Sequence, residues 1–543
     1  MQERIATWGR EWRMRAAGVV AMLAATLWAG VAMARDAGPA LRIPLEPLGY
    51  QTTLPDFLAA GSSMLTVDFV DQGHLLVSFG VRRLMKRELD DPPEDDDRTV
   101  DALLVELPSG KVAARTEWRL HDRGQYLWSL GHGRFLLRVR DRLALLAPLA
   151  AASPEEAFTE TPFLHADRRI LAILLSADDN LLTVETAELP AAAAKGPRFG
   201  GDTPAPVQIN FYRLSSVGPA ADKLLVATAG VLRARTAVAL PVTTGGFLEV
   251  LEGGRDRWLF NFASLAGEVS ELAEFDTTCY PRTTFVSRSE FVAFGCRGAA
   301  EKQDFAGFNL KGEAMWQQNF FDTQVSPTFA FAPAAGRFAL ERTIVSGTVP
   351  PGEAVSPGAA SSQEVRVYQS YNGKQLFRTD CTPVVLAGQN FALSPDGLRL
   401  AVVRETMVQH RATQEDDGYT SKTAAVEVYG LPALTAKDEA AVKQAQGEAP
   451  ADTGARIDLA VERVSGQAAA DAAAGPSAAK PGGGGEADAA ARASVPEADR
   501  PQTVDESAPS ANAAAWGDVQ PEPSRKAPTL YGPGETPEGK KPQ

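Results

Sequence analysis

Side chains able to hold a metal or attack a substrate are scarce: 543 residues contain five His and three Cys. His74, His121, His132, His165 and His410 are not paired at zinc spacing, and Cys279, Cys296 and Cys381 form no Cys-x-x-Cys. Neither a structural nor a catalytic zinc is expected. No Gly-x-Ser-x-Gly elbow, Ser-x-x-Lys motif or phosphate-cradling glycine loop stands in a strand-then-helix setting. Cationic excess is missing too. With 54 Lys and Arg against 68 Asp and Glu, the formal charge is −14, which argues against nucleic acid as a partner, because that needs clustered cations to replace phosphate counterions. Three Cys exclude a disulfide scaffold, although Cys279 and Cys296 are spaced to bridge a strand hairpin, leaving Cys381 free.

Long apolar runs are confined to one place. Arg4, Arg10, Arg13 and Arg15 precede an uncharged stretch, Ala16 to Ala34, that ends Ala-Met-Ala. This is the pattern of a secretory signal occupying residues 1–34, with cleavage between Ala34 and Arg35. An uncleaved anchor is the rival reading. After cleavage no stable membrane span is expected, and the location is periplasmic or extracellular through the general secretory pathway. At the other end, residues 436–543 are rich in Ala, Pro, Gly and Glu and nearly devoid of aromatics. Such a segment cannot bury enough apolar surface to offset its ordering entropy, so a disordered tail is expected. Trp516 and Leu530-Tyr531 are its exceptions, candidates for a short docking motif.

What is abundant is turn chemistry, with 47 Gly and 37 Pro. Between residues 35 and 435 short apolar or alternating runs are separated by Gly, Asp, Asn and Pro, the signature of an all-β domain. The runs recur. An apolar strand, a tight turn and a second, strongly apolar strand repeat with turns near 73, 132, 179, 244, 289, 336 and 397. A second hairpin breaking at Gly-Lys or Gly-Glu follows several of them, as at Gly110-Lys111, Gly267-Glu268, Gly312-Glu313 and Gly373-Lys374. Two hairpins make a four-stranded blade, so the expected fold is a seven-bladed β-propeller, six to eight blades being compatible with the spacing. The last blade has only three strands before the tail. Leu41-Arg-Ile-Pro-Leu, an N-terminal strand, is expected to supply the fourth and close the ring, since an open ring would expose an edge.

The Ser394-Pro-Asp-Gly turn and the Gly-Lys hairpins resemble those of bacterial WD40-like and YVTN-type propellers. Gly312-Glu-Ala-Met-Trp316, and Gly110-Lys111 with Trp118, faintly resemble quinoprotein repeats. The likeness covers residues 41 to 434 and implies architecture; the Trp-Asp dipeptide and a regular Gly-His are absent, and no ordered set of metal-holding Glu, Asn and Asp accompanies the quinoprotein-like segments. No cofactor is expected.

Four long insertions, about 82–99, 187–205, 345–363 and 404–421, fall between second and third strands and therefore emerge on one face. The first sets Arg82, Arg83, Lys86 and Arg87 beside Asp90, Asp91 and Glu94 to Asp97, without the spacing of a calcium loop. The last carries Arg404, His410 and Arg411 next to Glu415-Asp416-Asp417. These basic residues are the candidate partner-binding positions. The leading expectation is a noncatalytic binding or scaffold protein for a protein or glycan of the cell envelope. An exported lactonase-like or quinoprotein-like enzyme and a structural envelope component are the alternatives.

Overall fold

The computed structural model describes residues 38–50, 65–81, 98–120, 125–150, 153–187, 206–217, 223–234, 239–296, 302–321, 327–345, 360–381, 390–410 and 419–457. The expected leader, its cleavage point at Ala34 and Arg35, and the possible docking motif near Trp516 lie outside them.

Seven four-stranded antiparallel sheets form a β-propeller. Blade one holds β2 (Thr66–Phe69), β3 (His74–Val81), β4 (Arg98–Glu106) and β5 (Val112–Leu120). Blade two holds β6 (Leu127–Ser129), β7 (Phe135–Val139), β8 (Arg142–Leu146) and β9 (Glu160–His165), and blade three β10 (Ile170–Leu175), β11 (Leu181–Ala187), β12 (Val207–Val217) and β13 (Lys223–Ala234). Blade four comprises β14 (Val242–Thr243), β15 (Gly246–Gly254), β16 (Arg257–Ser264) and β17 (Val269–Asp276), and blade five β18 (Arg282–Phe285), β19 (Glu290–Cys296), β20 (Lys302–Asn309) and β21 (Ala314–Phe321). Blade six comprises β22 (Thr328–Ala332), β23 (Arg337–Val345), β24 (Ala360–Gln369) and β25 (Gln375–Cys381). Blade seven takes β26 (Phe391–Leu393), β27 (Arg399–His410) and β28 (Tyr419–Gly430), with β1 (Leu41–Pro44) as its outermost strand.

The first strand of each blade is innermost, and neighbours such as β2 and β26, or β14 and β18, pack around the centre. Each sheet is covered on both faces by adjacent blades, so the second strands lose the polar-apolar alternation of a half-exposed strand. In β19, Phe291 and Ala293 point toward blade four while Val292 and Phe294 point toward blade six. A hydrophobic cluster of this kind fills every junction between neighbouring blades, including the junction of blade seven with blade one.

Ring closure by the N-terminal strand is as expected. Leu41 stands opposite Val428 and Ile43 opposite Val426, and Leu45 N–H donates to Ala424 O at 2.9 Å. The turn chemistry holds as well. In Ser394-Pro-Asp-Gly the Asp396 carboxylate accepts from Leu398 N–H at 3.0 Å, while Gly397 takes the left-handed conformation at φ 65° that an L side chain resists.

The lower boundary of the tail is corrected. Residues expected to lie outside the fold from 436 onward instead form a helix, α1 (Ala436–Glu448), and an extended run to Ile457 that lie against the propeller. Thr435 and Asp438 make a reciprocal capping box, which starts the helix despite the low apolar content of the segment. Among the described residues no helix is long and apolar enough to cross a membrane.

Candidate functional site

The strand order gives the ring two unlike faces. Connections from second to third strand, and from blade to blade, emerge on one side, the loop face; the hairpin turns within each blade emerge on the other, the turn face. The second-to-third-strand connections 82–97, 188–206, 346–359 and 411–418 therefore leave from the loop face, as the spacing implies, the last shortened to eight residues by the extension of β27 and β28. The 13-residue connection 147–159 of blade two, between third and fourth strands, leaves from the turn face. Arg82, Arg83, Lys86, Arg87 and Arg411 lie outside the described residues, as does the side chain of His410, which ends β27 opposite Tyr419.

Arg404 is the exception, and the structure corrects its assignment. It lies within β27, not in a loop, because that strand and β28 remain paired as far as His410 and Tyr419. Its guanidinium is spent on the protein itself: Nε is 2.9 Å from Glu427 Oε2, and Nη2 donates to Thr379 Oγ1 at 2.9 Å and Asp380 O at 2.7 Å. Arg404 latches blade seven to blade six. The loop face also carries a disulfide between Cys279 and Cys296, Cα atoms 5.4 Å apart, which ties the connection entering blade five to the end of its second strand. Cys381 is buried and reduced, its thiol donating to Val403 O at 3.0 Å.

The turn face is the better defined of the two, because the chain's own C-terminal segment lies across it. After β28 the chain is held by Arg337, only 1% exposed, which donates to Gly397 O at 2.6 Å and to Pro432 O at 2.7 Å. Then α1 follows, docking through residues spaced four, three and three apart, one side of a helix. Tyr371 O–H donates to Asp438 Oδ1 at 3.1 Å. Val442 lies so close over Gly336 that a Cβ there would meet its Cγ2 at 2.7 Å. Ser289 O–H donates to Ala445 O at 2.7 Å, and Lys311 Nζ pairs with Glu448 at 2.6 Å. Beyond the helix, Arg288 reaches Pro450 O at 3.3 Å, Arg213 Nε is 2.9 Å from Asp452 Oδ1, and Ile457 N–H donates to Ala229 O at 2.9 Å on blade three. The segment thus runs over the turn face from blade seven to blade three.

Under the strap lies a cavity of about 220 Å³, walled by the hairpin turns of blades three, five and six and by α1. Its charged groups are three acidic residues, Asp178, Asp179 and Glu290, and one cation, Arg288. Asp178 is satisfied by Arg288 Nε at 3.0 Å, Thr244 Oγ1 at 2.5 Å and Asn180 Nδ2 at 3.1 Å. Glu290 accepts from the Ser370 and Ser287 hydroxyls at 2.7 and 3.1 Å, and burial pushes its carboxyl upward. Asp179 sits at φ 60°, and burial, with help from the Asp178 charge, pushes its carboxyl up to about 8 against the opposing pull of Arg134. Sequence reasoning read Asp178-Asp179 as a turn only and missed Glu290, Tyr371 and Val442. The available signals were two consecutive Asp where a turn needs one, and the Thr435-x-x-Asp438 box.

Fold and faces together define a closed seven-bladed propeller with a strapped turn face. No family model and no curated protein matches the chain. Among solved structures it is similar to Hsv2p of Kluyveromyces lactis, at 9% identity and a TM-score of 0.30, over 66% of this chain and 97% of that one. It is also similar to an acylaminoacyl peptidase of Pyrococcus horikoshii, at 7% identity and a TM-score of 0.38, over 70% of this chain and 64% of that one. A prolyl endopeptidase matches at 14% identity and 0.31, with 65% and 44% covered. These likenesses extend to the propeller fold and no further.

Proposed function

We propose that the chain is an exported, noncatalytic binding propeller that engages a protein or glycan of the cell envelope through its loop face. The observation that carries this reading is the asymmetry of the ring. The turn face is occupied by the chain's own strap, from Pro432 to Ile457, whereas four second-to-third-strand connections of 8 to 19 residues leave the loop face from blades one, three, six and seven. Long loops on a rigid scaffold are where binding residues concentrate. The Cys279–Cys296 bond supports export, since such bonds persist in oxidising compartments.

The test replaces the four connections with short Gly-Ser turns, leaving every strand intact, and compares recovery of envelope proteins and glycans with that of the full chain. Loss of a partner that the full chain retains is the expected result. Equal recovery by both proteins would overturn the reading.

A further inference from the structure

The strap reaches a sheet edge at its last described residue. Ile457 pairs with Gly230 in a parallel bridge and donates its N–H to Ala229 O at 2.9 Å. Its side chain packs against the hydrophobic cluster between blades three and four that contains Leu232 and Ala234. Among the described residues nothing else pairs with the outer edge of β13, the last strand of blade three. The propeller is shaped for this approach: a Cβ at Gly245 would stand 2.5 Å from Pro450 Cβ, and one at Gly230 would stand 2.6 Å from both N and O of Ile457. Only glycine lets the chain pass so close. The approach is also directed. As a fourth strand β13 runs from the turn face toward the loop face, and Arg213, holding first Asp452 and then Ala455 O, leads the strap along the blade in the same sense.

The sequence that follows has the period of a strand. Ile457-Asp-Leu-Ala-Val-Glu sets apolar residues at 457, 459 and 461 and charges at 458 and 462. We propose that residues 458–461 extend Ile457 into a fifth strand on blade three, parallel to β13, and that this strand carries the chain from the turn face to the rim of the loop face. Paired residues of neighbouring strands share a face of the sheet. Continuing the register of Ile457 with Gly230 therefore sets Leu459 beside Leu232 and Val461 beside Ala234, which are 1% and 5% exposed. The apolar residues extend the cluster that Ile457 joins, and Asp458 and Ala460 fall on the side of Val231 and the exposed Arg233. A strand edge is a template for any extended chain, and this segment has the advantage of continuity: it starts one residue past a formed pair, with no loop to close. The inference stands apart from the binding assigned to the loop face, and either can fail without the other.

Residue-resolved amide exchange on the full chain tests it. In the proposed register the N–H groups of Leu459 and Val461 donate to Val231 O and Arg233 O, and that of Arg233 donates to Leu459 O, whereas those of Asp458 and Ala460 face away. Relative to their intrinsic rates, Leu459 and Val461 should exchange on the order of tenfold more slowly than Asp458 and Ala460. Leu459→Asp with Val461→Asp should speed the Arg233 amide by about tenfold, while Asp458→Ser with Glu462→Ser should leave it unchanged. Should the first pair of substitutions prevent folding, the alternation along 458–461 in the unaltered chain decides. Even exchange along 458–461, an Arg233 amide indifferent to Leu459→Asp with Val461→Asp, or one equally sensitive to the outward-facing pair, would each overturn the proposal. So would protection of Arg233 that grows with protein concentration, the mark of a second copy on the edge.

Discussion

Both ends of the described chain close something, and they do it by opposite means. At the N-terminus β1 closes the ring through a backbone ladder to β28, with Ile43 and Leu45 at 3% and 0% exposure in the cluster between blades seven and one. At the C-terminus α1 closes the cavity on the turn face with no buried residue at all. Closure by ladder and apolar burial is all-or-none, because a ring that loses it exposes an edge and opens a core junction together. Closure by scattered polar contacts is separable from the fold, since exposed pairs contribute little each. One terminus is part of the architecture, and the other rests on it.

The sharpest way to break this contrast is Ile43→Asp, which places a carboxylate in the closing junction. A loss on the order of 4 kcal/mol is expected, read as a lower urea midpoint accompanied by self-association of the opened edge. If the midpoint were unchanged, β1 would be as dispensable as α1. Next comes Arg337→Met at the root of the strap, which leaves the Gly397 and Pro432 carbonyls without their donor. Unfolding should cost ~2–3 kcal/mol less, and this is the one strap contact expected to matter to the ring.

A smaller effect, of opposite sign, is expected at Asp179. Its carboxyl is raised from 3.8 to about 8 in the fold, so between pH 4 and 8 the unfolded chain has released a proton that the fold still holds. Stability therefore falls as pH rises through that window and levels off above it. Asp179→Asn removes the fall, so the variant should be more stable than the unaltered chain at pH 9 and no more stable at pH 3.5; urea titrations at the two pH values check it. Asp178 and Arg134 are the charges that act on this group, so the same titration in Asp178→Asn should show a shallower fall. Smallest of all is Lys311→Ala, which removes an exposed pair with Glu448. No measurable change in thermal midpoint is expected, whereas amide exchange of α1 should quicken. A clear drop in the midpoint would place α1 with β1 as an architectural element.

The ring was legible because its punctuation is chemical. Gly and Asp at residues such as Gly133, Asp179, Gly336 and Gly397, all four at positive φ, take backbone conformations that other residues resist. Seven turns and one missing strand then sufficed for a closed propeller. The strap was not legible because burial, the usual marker of an ordered helix, is absent from it: α1 has the composition of the tail that follows, and only the pair Thr435 and Asp438 sets it apart. Arg404 was misplaced for a related reason. Charged and polar residues interrupt β27 past Val403, and they resemble a loop until Glu427 is seen to stand in the neighbouring strand and take the charge. The cavity under α1 escaped notice because its walls come from blades three, five and six, brought together only by closing the circle.

The closing strand has a consequence for where this protein begins. Blade seven is the one blade whose third and outermost strands, β28 and β1, are not joined by a turn, and Leu41 already stands opposite Val428. The ring is therefore a circle with its covalent break at one hairpin, and any equivalent hairpin, such as that between β16 and β17, could carry the break instead. A circular permutant linked from Gly430 to Leu41 would keep every blade while releasing residues 431–457 as a separate peptide, and the affinity of that peptide for the bare turn face would measure the strap in isolation.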